Sequence, residues 1–312
     1  MWPKIHGMCL VRDEADIIAH TLRAASAFCE AIHVYDNGSQ DGTWEIVQAL
    51  AREDRRIRPF RRDTRPFDNA MRGEIWRQEK ATSAEGDWWC ILDADEIYID
   101  DPRAFLAAVP RHQGRVWSAS FQYYFTDVDL AAYEDDPCRY ADPVPIEQRY
   151  RHYLNNWSEL RFFRQERELS WVEGARYPWP LGPPCPRRIR LKHFQFRSPP
   201  QMQRRLDLRS SSEAFAHEQR ADWSARVFAR KRDAHPAPPA RRKESSSWQE
   251  RIVPAARLVH DPGDGAYPVT EELMPALPLP AHPWIAELWF MARRLLQRAR
   301  SRLRAATGRV KP

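Results

Sequence analysis

The segment that most constrains the fold of this chain is residues 86–100, GDWWCILDADEIYID, where an apolar run ends in clustered carboxylates. The run WWCIL has no alternation of apolar and polar residues, so both of its faces are predicted to be buried, as in a central strand of a parallel sheet. Asp93, Asp95 and Glu96 follow where this strand is expected to end. A carboxylate near a core is costly unless it is paired or bound to a metal. Asp93 and Asp95 point the same way on extended chain and can share one hard cation, so the segment predicts a metal–diphosphate site.

Strand-like and helix-like segments alternate along the first hundred residues. Strands are predicted at residues 4–11, 31–35 and 57–61. Helices are predicted from Asp16 to Phe28, after a cap at Asp41, and over residues 71–85. The alternation predicts an α/β fold, a three-layer sandwich around a mostly parallel central sheet. Such a sheet would deliver Glu14, Asp36 and Asp93 to one edge, where open α/β sheets bind ligands.

Several of these motifs together resemble those of a known family. LVRDEADII, VYDNGSQDGT and GDWWCILDADEIY, all within residues 4–100, resemble the ordered motifs of family 2 glycosyltransferases. A looser match, LKHFQFRSPPQMQRRL at residues 191–206, is similar to a segment that these proteins carry late in the fold. The resemblance implies a GT-A fold and the transfer of a sugar from a nucleotide-diphosphate donor to an acceptor hydroxyl, usually with inversion.

The resemblance also implies roles for individual residues. Glu14 and Asp36 would contact the nucleoside of the donor, and Asp93 and Asp95 would contact the diphosphate and a metal cofactor, Mn²⁺ or Mg²⁺. His193 is either a core histidine or, as in some GT-A enzymes, a further metal ligand. The implied donor site is completed by four more residues: Arg12, Asp41, Arg77 and Ala94. A divalent cation and an arginine such as Arg77, in the family's basic position, would neutralise the charge that grows on the departing diphosphate.

The general base of an inverting transfer is a carboxylate or histidine that takes the proton of the acceptor hydroxyl. The family's base is an acidic residue well downstream of the metal motif, and no Glu-Asp pair stands at a matching place in this chain. Glu173, between a strand-like run and a turn, is the first candidate, and its alternative reading is a solvated loop carboxylate. Glu159, just before the strand ELRFF, and Asp135, in an acidic loop, are the rivals.

Composition divides the chain into three parts: a predicted glycosyltransferase domain at residues 1–232, a proline-rich linker or extended segment at 233–283, and a basic amphipathic helix at 284–312. The last part carries eight Arg or Lys residues and one Glu, a net charge of +7, against +6 for the whole chain. Its apolar and basic faces are typical of a helix that lies on an anionic membrane surface. The alternative is a helix that packs on its own domain.

Cysteine usage and hydropathy indicate the compartment. The five cysteines are scattered without a CxxC or zinc-like cluster, so we expect reduced thiols in a cytoplasmic protein. The basic tail adds the alternative of a peripheral position at the inner membrane face. No export signal and no membrane-spanning apolar run is expected. The expected partners are a donor of the UDP- or GDP-sugar type and an unknown acceptor, either a glycan or a lipid-linked molecule.

Two alternative functions make different demands on the sequence. A nucleotidyltransferase of similar fold would need a glycine-rich, basic phosphate loop after the first strand, where this chain has the acidic VRDEAD. A nucleic-acid-binding protein would need basic and aromatic residues interleaved along one surface. The basic excess of this chain is confined to its tail, so no nucleic-acid partner is expected.

Overall fold

The strand predicted after Gly86 lies inside one large sheet. The computed structural model describes residues 2–68, 70–141, 144–210, 227–228 and 247–271, and the single positions 277, 288, 292, 295 and 296. Its first four strands are β1 (Ile5–Val11), β2 (Ala31–Asp36), β3 (Ile57–Arg62) and β4 (Trp88–Asp93). They lie in the order β4-β1-β2-β3, and each neighbouring pair is parallel. The parallel arrangement predicted from the sequence is confirmed.

Helices cover both faces of these four strands. The first four helices are α1 (Ile18–Ser26), α2 (Thr43–Glu53), α3 (Met71–Glu79) and α4 (Pro102–Ala107). The apolar side chains of α1 and α2 pack with Trp88, Cys90 and Leu92 on one face of β4. Those of α3 pack with Trp89 and Ile91 on the other face. Because alternate residues of β4 enter different cores, both faces of the strand are apolar, and the three-layer α/β prediction is confirmed.

The rest of the sheet is largely antiparallel. Six further strands complete it: β5 (Glu96–Tyr98), β6 (Arg115–Tyr123), β7 (His152–Trp157), β8 (Leu160–Arg164), β9 (Ile189–His193) and β10 (Val259–His260). Strand β8 lies antiparallel between β4 and β6, whereas β9 is parallel to β6 and antiparallel to β5. Three helices accompany these strands: α5 (Asp127–Asp135), α6 (Ile146–Arg149) and α7 (Pro199–Ser210). Because β9 pairs with β5, it lies next to the segment that follows β4.

Strand register brings the predicted acidic residues to one edge. Val11 of β1 stands opposite Asp36 of β2, and Leu10 stands opposite Asp93 of β4. Glu96 of β5 stands opposite His193 of β9. The carboxyl ends of β1, β2, β4 and β9 therefore meet, as an open α/β sheet with a ligand site at its strand ends requires.

Part of the segment predicted as a proline-rich linker packs against the sheet. Strand β10 pairs with β7, and the buried carboxylate of Asp261 accepts hydrogen bonds from the hydroxyls of Tyr123 and Tyr267. Lys192 Nζ lies 3.6 Å from the same carboxylate. Residues 233–246 lie outside the described residues, so the division into three parts stays a prediction.

The predicted C-terminal helix lies almost wholly outside the described residues. Of residues 284–312, only Leu288, Ala292, Leu295 and Leu296 are described; they are helical, and all four are exposed. Among the described residues, no helix is both long and apolar enough to cross a membrane. None of the five cysteines forms a disulfide.

Candidate active site

Asp36, at the end of β2, is buried, and one of its two carboxylate oxygens is hydrogen-bonded within a turn. Its Oδ1 accepts hydrogen bonds from the backbone N–H groups of Gly38 and Ser39, each at 2.8 Å. Gly38 has a φ of 81°, which a glycine adopts without strain. Asp36 Oδ2 is buried and has no hydrogen-bond partner among the described residues. A buried acceptor left without a partner is costly, so this oxygen is placed to receive a hydroxyl or N–H of a ligand.

The loops that follow β1 and β2 are held together by short polar side chains. The backbone N–H of Asp13 donates to Ser39 Oγ at 2.9 Å, and that of Ala15 donates to Asp41 Oδ2 at 3.0 Å. The N-cap of α2 is Gly42 and not Asp41 as predicted, although Asp41 Oδ1 accepts the backbone N–H of Thr43, the first residue of the helix. Both oxygens of Asp41 therefore bond the protein itself, so Asp41 shapes the loop pair. A direct contact between Asp41 and a donor stays a prediction.

Asp93, at the end of β4, lies between two arginines. Its Oδ1 accepts from Arg72 Nη2 at 2.5 Å, and its Oδ2 accepts from Arg161 Nη2 at 2.8 Å. Burial alone would raise the pKa of Asp93, but the two guanidinium groups hold it below its ordinary value. Arg161 is itself buried and also pairs with Glu96 and Glu159. Both oxygens of Asp93 are thus engaged by arginines, and its predicted metal contact stays a prediction.

Asp95 and His193 form a second pair two residues further on. Their Oδ1 and Nε2 atoms are 3.2 Å apart, because β9 pairs with β5 and the N–H of Phe194 donates to the carbonyl of Asp95 at 2.9 Å. Burial would raise the pKa of Asp95, but His193, Arg205 and Arg197 lower it. Asp95 is therefore an ionised carboxylate next to an imidazole nitrogen.

This pair fits a divalent cation that takes its other ligands from a substrate. Two ligands at right angles, with metal–ligand bonds of about 2.2 Å, would be about 3.1 Å apart, close to the 3.2 Å observed. Carboxylate and imidazole donors suit Mn²⁺, and Mg²⁺ is usually held by one or two protein groups together with substrate phosphates. No group of three or more His, Cys, Asp or Glu that could hold a metal ion occurs within the described residues. The protein would thus supply two ligands.

Arg197 connects this pair to the loop after β1. The guanidinium is fully buried and donates to Glu14, to both oxygens of Asp16 at 2.7 and 2.9 Å, and to the carbonyl of Phe194 at 2.7 Å. Burial raises the pKa of Glu14 to about 7, although the charge of Arg197 acts to lower it. Glu14 is therefore joined to the Asp95 side of the edge, and its predicted contact with a nucleoside stays a prediction.

The remaining predicted donor residues are placed differently. Arg77 Nη1 donates to the carbonyl of Trp171 at 3.0 Å, while Arg72, five residues earlier on α3, is the arginine that reaches Asp93. Arg12 is half-buried, with its Nε 3.8 Å from Asp13. Ala94 is buried, and its carbonyl accepts the hydroxyl of Thr21 at 2.6 Å. Sequence analysis missed Arg72, Arg161 and Arg197, because no periodic pattern marks a buried arginine.

The three candidate bases occupy different surroundings. Glu159 Oε2 lies 3.1 Å from Arg161, and its Oε1 lies 3.3 Å from Arg176. Glu173 is exposed on a turn closed by the N–H of Ala175 on the carbonyl of Val172, at 3.1 Å. Asp135 is exposed at the end of α5. Of the three, Glu159 contacts Arg161, which together with Arg72 and Asp93 forms the group that we call the Asp93 cluster.

The family of the chain follows from its sequence as a whole. The model of Glycosyl transferase family 2 matches residues 11–173, which is more than half of the chain and runs from the last residue of β1 to beyond β8. The chain belongs to this family of enzymes. No curated protein matches the chain significantly.

Solved structures of glycosyltransferases show a distant likeness. The mannosyltransferase PcManGT from Pyrobaculum calidifontis, in complex with GDP-Man and Mn²⁺, is 16% identical over 53% of this chain and 45% of its own, with a TM-score of 0.32. Glucosyl-3-phosphoglycerate synthase from Mycobacterium tuberculosis, with Mn²⁺, UDP and phosphoglyceric acid, is 14% identical over 52% of this chain and 56% of its own, with a TM-score of 0.29. S. aureus TarS 1-349 is 13% identical over 74% of this chain and 73% of its own, with a TM-score of 0.32. The chain spans about half the length of the first two.

Proposed function

We propose that this protein transfers a sugar from a nucleotide-diphosphate donor to an acceptor hydroxyl, with inversion and with the help of a divalent metal. Membership of glycosyl transferase family 2 supports the class of reaction. The observation that carries the finer proposal is the pair of Asp95 Oδ1 and His193 Nε2, 3.2 Å apart at the carboxyl edge of the sheet. Mn²⁺ or Mg²⁺ held by this pair would neutralise the charge that develops on the diphosphate as the sugar departs.

The residues around the pair can bind and orient such a donor. Asp36 Oδ2, buried without a partner among the described residues, would accept a hydrogen bond from the nucleoside. Arg72, held on Asp93, brings positive charge to the end of β4 and can stabilise a phosphate next to it. Arg197 fixes the loop after β1 against the segment after β9, so the two sides of the donor site keep a constant spacing.

A carboxylate or a histidine must take the proton of the acceptor hydroxyl as the new glycosidic bond forms. Glu173 is the first candidate, because its exposed carboxylate is accessible to an acceptor. Glu159, which contacts Arg161, and Asp135 are the rivals. Replacing the true base by glutamine should lower transfer by about 10²–10⁴-fold and leave donor affinity unchanged. Glu159→Gln and Glu173→Gln, assayed side by side, decide between them; full activity in both would exclude both residues.

Nucleotide binding tests the proposal before any acceptor is identified. UDP and GDP, each with Mn²⁺ or with EDTA, are added to the wild type and to Asp95→Asn in a thermal-unfolding assay. A nucleotide at 100 times its Kd stabilises a protein by about 2.7 kcal/mol, and we expect this for at least one nucleotide, in the presence of metal only. Asp95→Asn should lose the stabilisation, and the control Glu53→Gln, an exposed carboxylate on α2, should keep it. Equal stabilisation in EDTA would contradict the metal-dependent proposal.

The basic C-terminal segment suggests where the enzyme works. We infer that residues 284–312 hold the protein on an anionic membrane surface, because the sequence combines a net charge of +7 with apolar residues at helical spacing. Leu288, Leu295 and Leu296 are helical and exposed, which fits this inference. Flotation of the full chain and of a version ending at Ala281 with anionic vesicles tests it. Equal flotation of the two at low salt would contradict it and leave the proposed transfer untouched.

A further inference from the structure

One surface loop near the candidate site presents an unusual amount of apolar surface. We call residues 170–179 the Trp179 loop. Its two ends are joined by a pair of backbone hydrogen bonds, from Ser170 N to the carbonyl of Trp179 at 2.9 Å and from Trp179 N to the carbonyl of Ser170 at 2.8 Å. Trp171 is buried against Trp76 and Phe163, with ring centroids 6.2 and 5.8 Å apart. The loop is therefore fixed at its base and seated on the core.

Polar contacts tie the Trp179 loop to both sides of the Asp93 cluster. On one side, Arg77 of α3, the helix that also carries Arg72, donates to the carbonyl of Trp171. On the other side, Arg176 in the loop donates to Glu159 at 3.3 Å, and Glu159 contacts Arg161. The loop thus contacts both α3, which supplies Arg72, and Glu159, which contacts Arg161.

Tyr177 packs on the same core as Trp171. It is partly buried against the buried cluster that contains Trp76, Phe163 and Trp171. Arg176, the preceding residue, contacts Glu159, and Glu159 contacts Arg161. The loop therefore borders the cluster at the end of β4.

Two large apolar side chains of the loop are exposed. Trp179 is 68% exposed and Val172 is 66% exposed, and the exposed carboxylate of Glu173 lies next to Val172. Large apolar side chains in the open are a marker of binding surfaces, above all on loops held by a rigid scaffold. An indole offers a flat apolar face at low cost in conformational entropy. Neighbouring carboxylates and arginines can bond the hydroxyls of a ligand that rests on that face.

We infer that Trp179 is the platform on which the acceptor binds, and that the acceptor presents a pyranose ring there. The inference rests on the proposed function and names its acceptor class. A pyranose has an apolar face of C–H groups, which suits an indole, and a rim of hydroxyls, which suits Glu159 and Glu173. A membrane is the alternative occupant of exposed Trp and Val side chains. The two carboxylates favour the pyranose, because they accept hydrogen bonds from hydroxyl groups, which a sugar offers and a lipid chain does not.

Binding of simple sugars tests the inference without knowledge of the natural acceptor. The methyl α- and β-glycosides of glucose, galactose, mannose and N-acetylglucosamine are titrated into the protein with UDP or GDP and Mn²⁺, and binding is followed by saturation-transfer NMR. We expect at least one glycoside to bind the wild type and Trp179→Tyr. Trp179→Ala should bind the same glycoside about tenfold more weakly, or not at all. This loss is typical of a truncated aromatic anchor. Trp2→Ala is the matched control, because Trp2 is 59% exposed and precedes the residues that match the family.

Each alternative outcome has a distinct meaning. Equal binding by Trp179→Ala, or no glycoside bound by the wild type while nucleotide still binds, would overturn the inference and leave the proposed function standing. Glycoside binding that depends on Trp179, without any nucleotide binding, would support the platform and remove the proposed donor. Flotation with anionic vesicles that is lost only in Trp179→Ala, with glycoside binding unchanged, would assign the loop to a membrane and overturn the inference.

Discussion

Arg161 is the residue whose removal should disturb the candidate site most. Its guanidinium is buried and pairs with three carboxylates: Asp93 at 2.8 Å, Glu159 at 3.1 Å and Glu96 at close contact. Glu96 is also fully buried, and burial raises its pKa to about 8 even though Arg161 acts to lower it. In Arg161→Met the carboxylates would remain without their shared cation. Removing one partner of a buried ion pair costs about 3–5 kcal/mol, and we expect a loss of that size in the free energy of unfolding.

Urea denaturation of four variants measures this cost. Arg176→Met is the matched control, because Arg176 pairs with the same Glu159 but is 55% exposed in its side chain; an exposed pair contributes about 0–1 kcal/mol. Glu96→Gln alone should lower the free energy of unfolding less than Arg161→Met does. The double variant should recover part of the loss caused by Arg161→Met, because the buried carboxyl group of Glu96 is then removed together with its partner. Equal effects of Arg161→Met and Arg176→Met, or a loss below about 1 kcal/mol in Arg161→Met, would refute the argument.

Two further predictions concern stability at other positions. Burial lowers the pKa of His33 from 6.5 to about 4, so the folded protein binds fewer protons than the unfolded chain between these values. The free energy of unfolding should therefore be highest above pH 6.5 and should fall as the pH drops toward 4, by about 3 kcal/mol at most. In His33→Gln, the free energy of unfolding should depend less steeply on pH over this range. The same pH dependence in His33→Gln and the wild type would contradict the role given to His33. Gly38→Ala should lower the free energy of unfolding by about 1–3 kcal/mol, because its φ is 81° and a Cβ would lie 2.8 Å from Thr64 Cγ2. Gly42→Ala, with a φ of 95° but nothing within 4 Å, should cost less in the same assay, and a larger loss there would contradict the steric argument.

The parallel half of the fold was predictable because its signals are local. Strand β4 is apolar on both faces, and the structure buries Trp88 and Trp89 in two separate cores. Parallel strands end at a common edge, so the meeting of Asp36 and Asp93 follows from the order of the elements alone. The return of β9 to Asp95 needed tertiary information, although the resemblance already pointed to His193.

The arginines of the site were not predictable from sequence patterns. Arg161 is 68 residues from Asp93, and Arg197 is 183 residues from Glu14. No periodicity links such positions, and arginine is ordinarily a surface residue. Arg77, the arginine expected at the donor, lies five residues after Arg72, and five residues on a helix turn the side chain by about 140°. The two arginines therefore point to different faces of α3, and the role of Arg77 stays a prediction.

Composition does not show how part of the C-terminal region is held. Residues 247–271 are rich in proline and glycine, which indicates a linker, yet Tyr267 and Asp261 are buried against β6. A buried carboxylate between two tyrosine hydroxyls holds this segment in place. Such a pairing depends on side chains that are far apart in the chain, and composition does not record it.

Release of nucleoside diphosphate from sugar donors tests the central proposal most directly. A panel of UDP- and GDP-sugars is incubated with the wild type and with Asp95→Asn, in Mn²⁺ or in EDTA, with the methyl glycosides and water as acceptors. We predict release from at least one donor by the wild type in Mn²⁺. Release should fall by about 10²-fold or more in EDTA and in Asp95→Asn, because a bound cation contributes several kcal/mol of charge stabilisation. No release from any donor, or equal rates in EDTA and in Asp95→Asn, would contradict the proposal.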